Sequence, residues 1–247
     1  MIEPYFIGLL EGDGSIQVNQ WKKRTLQFRV VIKLKNTPAN YHLCATIKEQ
    51  TNLFNLHIRH GYVLLVQDHE QKLKQLLPIL ENYTFLSQKM QKDYAFFKYC
   101  LLSKPTISEY TFLKTNKHQV PGFHLEKRNA KDFLKYSWFP WWVVGFVEAE
   151  GCFCVRTNGK LSFSIGQKND KELIEGIRLF FQMPNKIQSK ANNMFVVEGA
   201  QRSMLANLIE FFENHQFLGQ KKESFEKFKS VFFTPKSMSK DFGRCRG

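Results

Sequence analysis

The chain opens on an apolar run, Tyr5-Phe6-Ile7-Gly8-Leu9-Leu10, that ends in Glu11-Gly12-Asp13-Gly14 and then changes period at once. The run predicts a short helix, because Pro4 opens a first turn without wasting a donor and the closing glycine stops it. Past Gly14, Ser15-Ile-Gln-Val-Asn-Gln20 alternates apolar with polar, as a strand that sends successive side chains to opposite faces. The same events recur far downstream. Val143-Val144-Gly145-Phe146-Val147-Glu148-Ala149-Glu150 is again apolar, acid-ended and closed by Gly151, and Cys152-Phe-Cys-Val-Arg-Thr157 again alternates. Such self-similarity predicts two copies of one unit, meeting where the copied element lies.

Each copy continues in the same order: strand, turn, strand, helix, two short strands, helix. Leu26 to Lys35 places Phe28, Val30, Ile32 and Leu34 on one face, and Gln27, Arg29, Val31, Lys33 and Lys35 on the other; Leu161 to Lys168 answers it in the second copy. One greasy and one polar or basic face suit a sheet that covers helices on one side and grips a polyanion on the other. Short hairpins follow at 55–61 and 186–192. Phe85-Leu86-Ser87-Gln88-Lys89 and Phe217-Leu218-Gly219-Gln220-Lys221 then match each other, each opening a helix rich in aromatics and lysine. The prediction is an α+β fold of two pseudo-symmetric αββαββα repeats, 1–102 and 138–247. Residues 103–137, with Pro105, Pro121, Gly122, dense charge and a short helix over 126–136, form a linker.

Within each apolar helix a small pair, Gly8 with Gly12 and Gly145 with Ala149, falls on one face and lets two backbones approach closely. Asp13 and Glu150 sit at helix carboxyl ends, against the negative end of the dipole, a misplacement that costs roughly 0.3–1 kcal/mol each at exposed sites. A local rule broken twice at matching positions points to function. If the helices pack through their small faces, the two carboxylates meet and repel until a cation neutralises them. Few, hard oxygen ligands suit Mg²⁺, completed by water and substrate phosphate. The bland alternative is two amphipathic helices with solvated acidic ends.

Composition narrows the partner. The 247 residues, with 24 Phe and 43% hydrophobic content, can fill two cores, and the net charge of +14 calls for an anionic partner. With the basic residues lying along strands, nucleic acid fits better than a membrane surface, and no apolar stretch reaches membrane-spanning length. Gln17, Asn19, Gln27, Arg29, Lys33 and Lys35 are the candidate base readers of the first copy. Arg156, Lys160, Ser162, Ser164 and Lys168 are those of the second, with Arg59, Gln188 and Lys190 extending the surface through the short hairpins. The cysteines, Cys44, Cys100, Cys152, Cys154 and Cys245, are odd in number and scattered, which fits a reducing compartment. His and Cys spacings suggest no zinc site, and no Gly-rich loop implies ATP. The amino terminus enters its helix at once, leaving no room for a targeting peptide, and the tail Gly243-Arg-Cys-Arg-Gly247 lacks a terminal His-Asn.

These motifs resemble those of the LAGLIDADG homing endonucleases, of the single-chain, two-repeat type. The resemblance implies that Asp13 and Glu150 are the metal-binding acids, two or three divalent ions being shared between them, with the Gly12 and Ala149 carbonyls as further ligands. It implies that Lys89 and Lys221 sit beside the active-site solvent, and that Gln167 lies next to the metals where the first copy has Leu34. It further implies a monomer that cuts double-stranded DNA at a long non-palindromic site, leaves short 3′ overhangs and promotes homing of its intron or gene. An organellar setting, mitochondrion or chloroplast, goes with the family. Two alternatives remain on the same fold: an intron RNA maturase, and a DNA-binding protein without catalysis.

Overall fold

The computed structural model describes residues 2–22, 24–126 and 128–234; Cys245 and the tail from 243 lie outside them. The first repeat runs α1 (Ile2–Asp13), β1 (Gly14–Trp21), β2 (Thr25–Lys35), α2 (Pro38–Thr51), β3 (Asn55–Arg59), β4 (Tyr62–Gln67), α3 (Glu70–Asn82) and α4 (Gln88–Ser103). The linker carries α5 (Ile107–Thr115) and α6 (Ala130–Phe133). The second repeat runs α7 (Phe139–Glu150), β5 (Cys152–Val155), β6 (Leu161–Lys168), α8 (Lys171–Phe180), β7 (Gln188–Lys190), β8 (Met194–Gly199), α9 (Arg202–Asn214) and α10 (Lys221–Phe233). Each repeat is therefore αββαββα extended by the lysine-opened helix.

Both sheets are antiparallel, ordered β1-β2-β4-β3 and β5-β6-β8-β7, so the second strand of each repeat is central. Phe28, Val30, Ile32 and Leu34 are buried as the alternation requires, and the residues between them face outward or are half-covered. No helix among the described residues is long and apolar enough to cross a membrane.

The two motif helices, α1 and α7, pack together in the middle, with Pro4 to Glu11 and Trp142 to Glu148 buried. A side chain on Gly8 would overlap the Trp142 carbonyl oxygen, and one on Gly145 the Tyr5 carbonyl oxygen; one on Gly12 would overlap Ala149 Cβ. Backbone thus touches backbone, as the small pairs predict. The closing glycines act differently from expectation. Gly151 is extended (φ −72°, ψ 149°), and neither it nor Gly14 takes the left-handed turn of a glycine stop. A Cβ on Gly14 would instead overlap Leu10, and one on Gly151 would overlap Val147. Glycine is needed there because the chain folds tightly back over the last helical turn as it enters the sheet.

The linker is more ordered than expected. Thr106 caps α5, Tyr110 is buried with its hydroxyl donating to the Val18 carbonyl at 3.1 Å, and Lys117 pairs with Asp93 at 2.5 Å. The predicted helix over 126–136 contracts to Ala130–Phe133, opened by reciprocal bonds between Asn129 and Asp132. Gly145→Ala should destabilise the fold by about 3 kcal/mol, the upper range for overpacking, since its methyl meets unyielding backbone. Urea unfolding checks this, and a loss below about 1 kcal/mol would contradict the close contact.

Candidate active site and nucleic-acid interface

Toward its carboxyl end each motif helix carries two carboxylates, and the structure separates their jobs. Glu11 and Glu148 are buried. Glu11 accepts from the Leu86 and Ser87 N–H groups (3.2 and 2.8 Å), the Ser87 hydroxyl (3.0 Å) and, from the opposite repeat, the Trp142 indole (2.8 Å). Glu148 accepts from the Gly219 and Lys221 N–H groups (3.1 and 2.8 Å) and, again from the opposite repeat, the Tyr5 hydroxyl (2.8 Å). Each acid satisfies the opening of the lysine helix, a favourable place for negative charge, and ties the repeats together across the α1/α7 contact. Sequence reasoning passed over this brace. Its signal was present in Tyr5 and Trp142, matching aromatics with a polar handle, three residues before Gly8 and Gly145.

Asp13 and Glu150 end the two helices, with no basic residue in either last turn. A Cβ on Gly12 would lie 3.3 Å from Glu150 Cγ, so the two acids hang from touching backbones. Desolvation raises the Asp13 carboxyl above its ordinary value, and desolvation together with the Asp13 charge raises Glu150. Lys221 pulls both back down; its ammonium donates to the Gly151 carbonyl at 2.7 Å. Asp13, Lys33, Leu34, Lys35, Asn40 and Lys221 line a cleft of about 490 Å³ between the first sheet and α10. A second cavity, about 540 Å³, lies between the linker and α3 and α4, away from the acids.

The lysines are unequal. Lys221 joins the acid pair, whereas the Lys89 ammonium, on a side chain 77% exposed, sits 3.2 Å from Asp93 one turn along α4. Asp93 is a largely covered carboxylate that also holds Lys117. Gln167 takes the register position of Leu34, half-buried, its side-chain oxygen accepting from the Lys168 N–H at 3.1 Å.

Two coupled carboxylates beside backbone carbonyls fit a hard divalent cation, since the ion would relieve the repulsion that raises Glu150. Among the described residues no cluster of three or more His, Cys, Asp or Glu side chains could complete a cage.

On the outer faces, register gathers the candidate readers. Gln17 opposes Arg29, Asn19 opposes Gln27, and Lys35 opposes Tyr62, itself opposite Arg59. In the second sheet Lys168 opposes Met194, itself opposite Lys190, and Gln188 lies one step along. Asn19, Gln27, Lys33, Lys35, Arg59, Arg156, Lys160, Lys168, Gln188 and Lys190 are exposed, while Gln17, Arg29 and Ser164 are half-buried. Ser162 departs from expectation, being only 2% exposed. Arg156 pairs with Glu198 at 3.0 Å, and this bridge runs diagonally over the row in which Ser162 opposes Cys154.

The profile described as LAGLIDADG endonuclease matches residues 6–101 and 143–232. The chain belongs to the LAGLIDADG endonuclease family. It is similar to "Probable intron-encoded endonuclease aI3" of Dictyostelium citrinum, 36% identical over 236 residues that cover 94% of this chain and 95% of that protein. The protein of the same name from Debaryomyces hansenii is 30% identical over 92% of this chain, which spans only 37% of that longer relative. The fold matches that of the LAGLIDADG meganuclease I-AabMI bound to uncleaved DNA, with a TM-score of 0.73, 20% identity, and coverage of 93% of this chain and 90% of that one.

In this LAGLIDADG chain burial pushes Glu11 up to about 7 against the pull of its donors. A carboxyl that keeps its proton to a higher pH when folded stabilises most below its unfolded value, near 4.3, and loses that contribution as pH rises toward and through about 7. The slope is at most roughly 1.4 kcal/mol per pH unit. Glu11→Gln should flatten the fall in unfolding free energy between about pH 5 and 7, and an unchanged slope in urea titrations would contradict the assignment.

Proposed function

We propose that this LAGLIDADG protein is a site-specific DNA endonuclease, encoded with an organellar intron, whose acid pair Asp13 and Glu150 cuts both strands of a long non-palindromic duplex. The observation that carries this reading is the electrostatic coupling of the two acids, at the ends of touching helices, beside a basic sheet. A basic face alone would support binding. Two desolvated carboxylates, one of which raises the other's cost of ionisation, with Asp13 opening onto a cleft beside the sheet, support hydrolysis.

Asp13 and Glu150, with the carbonyls of Gly12 and Ala149, would hold the divalent ions, Mg²⁺ by donor type. When bound, such ions lower the pKa of an attacking water and offset charge on the leaving oxygen. The chain itself orients the centre through Lys221, whose ammonium is fixed by the Gly151 carbonyl and faces charge that builds on the scissile phosphate. Lys89, paired with Asp93, takes a structural part. Gln167 would position solvent on the second strand's side, where the first repeat offers only Leu34. The two repeats, 1–102 and 138–247, would each read one half-site, with 103–137 joining them. Joining frees the halves to diverge, and this suits a target without dyad symmetry.

Asp13→Asn or Glu150→Gln should abolish double-strand cutting while duplex binding survives, as read by incubation with intron-less insertion-site DNA and Mg²⁺ beside a gel-shift assay. Lys221→Met should slow cutting by about a hundredfold or more, and Lys89→Met by little. Undiminished cleavage by either acid variant refutes the assignment, and a product from the intron RNA alone would favour the maturase. Because both carboxyls are raised, divalent-cation binding should release protons and strengthen as pH rises through the carboxylate range. Calorimetry in buffers of different ionisation enthalpy measures this directly.

A further inference from the structure

Two arginine–carboxylate pairs lie on the outward faces of the sheets, one per repeat and apart from the acid centre. In the first, Arg29 of β2 faces Asp68, just past β4, with Nε 3.9 Å from Oδ2. In the second, Arg156, just past β5, donates to Glu198 of β8 at 3.0 Å. Register shows that these are not copies of one another. Ser15 opposes Val31 as Cys152 opposes Ser164, which makes Arg29 the counterpart of Ser162; Val31 opposes Val66 as Ser164 opposes Glu198. Each repeat has thus built such a pair from unrelated positions.

Carboxylates on this face need a reason, because each repels the phosphates that the surrounding lysines attract. Glu198 is the sole carboxylate within the eight strands. The Ser162 hydroxyl and the Arg156 guanidinium beside it hold its carboxyl below the ordinary range, so it remains charged. The pairs stay half-open to solvent, with side-chain exposures of 41% and 54% for Arg29 and Asp68, and 56% and 40% for Arg156 and Glu198. Arg29 Nε is buried and has no hydrogen-bond partner. As pairs in water they contribute little to stability. A free arginine on such a face swings to the nearest phosphate and binds every sequence alike. Arg156 is tethered by its hydrogen bond to Glu198, and Arg29 is drawn toward Asp68 by charge across 3.9 Å without a hydrogen bond; either restraint leaves a donor edge free for the O6 and N7 acceptors of guanine.

We propose that Asp68 and Glu198 are specificity-determining positioning residues, Glu198 by a hydrogen bond and Asp68 by charge, each biasing its arginine to read one guanine in its half-site and disfavouring duplexes that lack that guanine. This rests on the reading of the chain as a DNA endonuclease. The acid trades general affinity for discrimination, through a repulsive element that only the matched arginine–guanine contact offsets.

The test selects bound sequences from a random duplex library with the full-length protein, Asp68→Asn, Glu198→Gln and Arg156→Gln. The wild-type consensus should hold one strongly preferred guanine in each half. Glu198→Gln and Arg156→Gln should both lower preference at the same position of one half by about tenfold, and Asp68→Asn should do so at a position of the other half. Each acid variant should also bind a scrambled duplex more tightly than wild type does, having lost a negative charge. An unchanged consensus in both acid variants, or a uniform weakening on all sequences, overturns the proposal. Should Glu198→Gln fail to fold, Arg156→Gln reports on the same position. A wild-type protein that enriches no sequence overturns the endonuclease reading instead.

Discussion

Everything in this molecule follows from the contact of two helix backbones. Where Gly8 meets Trp142 and Gly145 meets Tyr5, no side chain intervenes, and the axes of α1 and α7 come closer than Leu or Phe would allow. That approach brings the carboxyl ends of both helices to one place. An acid there opposes the dipole of its own helix and the charge of its neighbour, and neither cost is useful to a folded protein alone. The contact is held from the side by Glu11 and Glu148, which reach across it to Trp142 and Tyr5 while satisfying the first turns of α4 and α10. A buried carboxylate is expensive unless fully bonded, so this brace also demands the geometry it supports.

The pseudo-symmetry is strict where the backbone is constrained and loose where chemistry is performed. Gly8 and Gly145, Glu11 and Glu148, and Tyr5 and Trp142 answer one another in position and in contact. Lys221 lies at the acids while Lys89 lies on Asp93, and Leu34 stands where the second repeat has Gln167. The outer faces diverge furthest, with Arg29 set against Ser162 and Val66 against Glu198. Packing across the shared interface penalises any unilateral change, because each residue there contacts its counterpart's helix. A side chain on an open sheet face carries no such obligation and is free to follow a different half-site.

Short-range pattern wrote the local and the repeated features of this chain. Period changes at Gly14 and Gly151 marked helix from strand, alternation in Leu26 to Lys35 separated a core face from an outward face, and the repeat marked the acid that ends each motif helix. These are short-range signals, written into neighbouring residues by the geometry of one helix or one strand. Folding settled that Lys89 pairs with Asp93 while Lys221 lies beside the acids, because that depends on Asp93 lying one turn along α4 and on the Gly151 carbonyl lying beside α10. It likewise decided that Ser162 is covered, where a bridge runs from just past β5 to β8, and that the linker folds as α5, since Tyr110 finds its partner on β1. It gave Gly14 and Gly151 their purpose, close packing over a helical turn rather than a left-handed bend. Each of these outcomes is a contact between residues distant in the chain, and the pattern of neighbours along a sequence does not record which distant groups will meet.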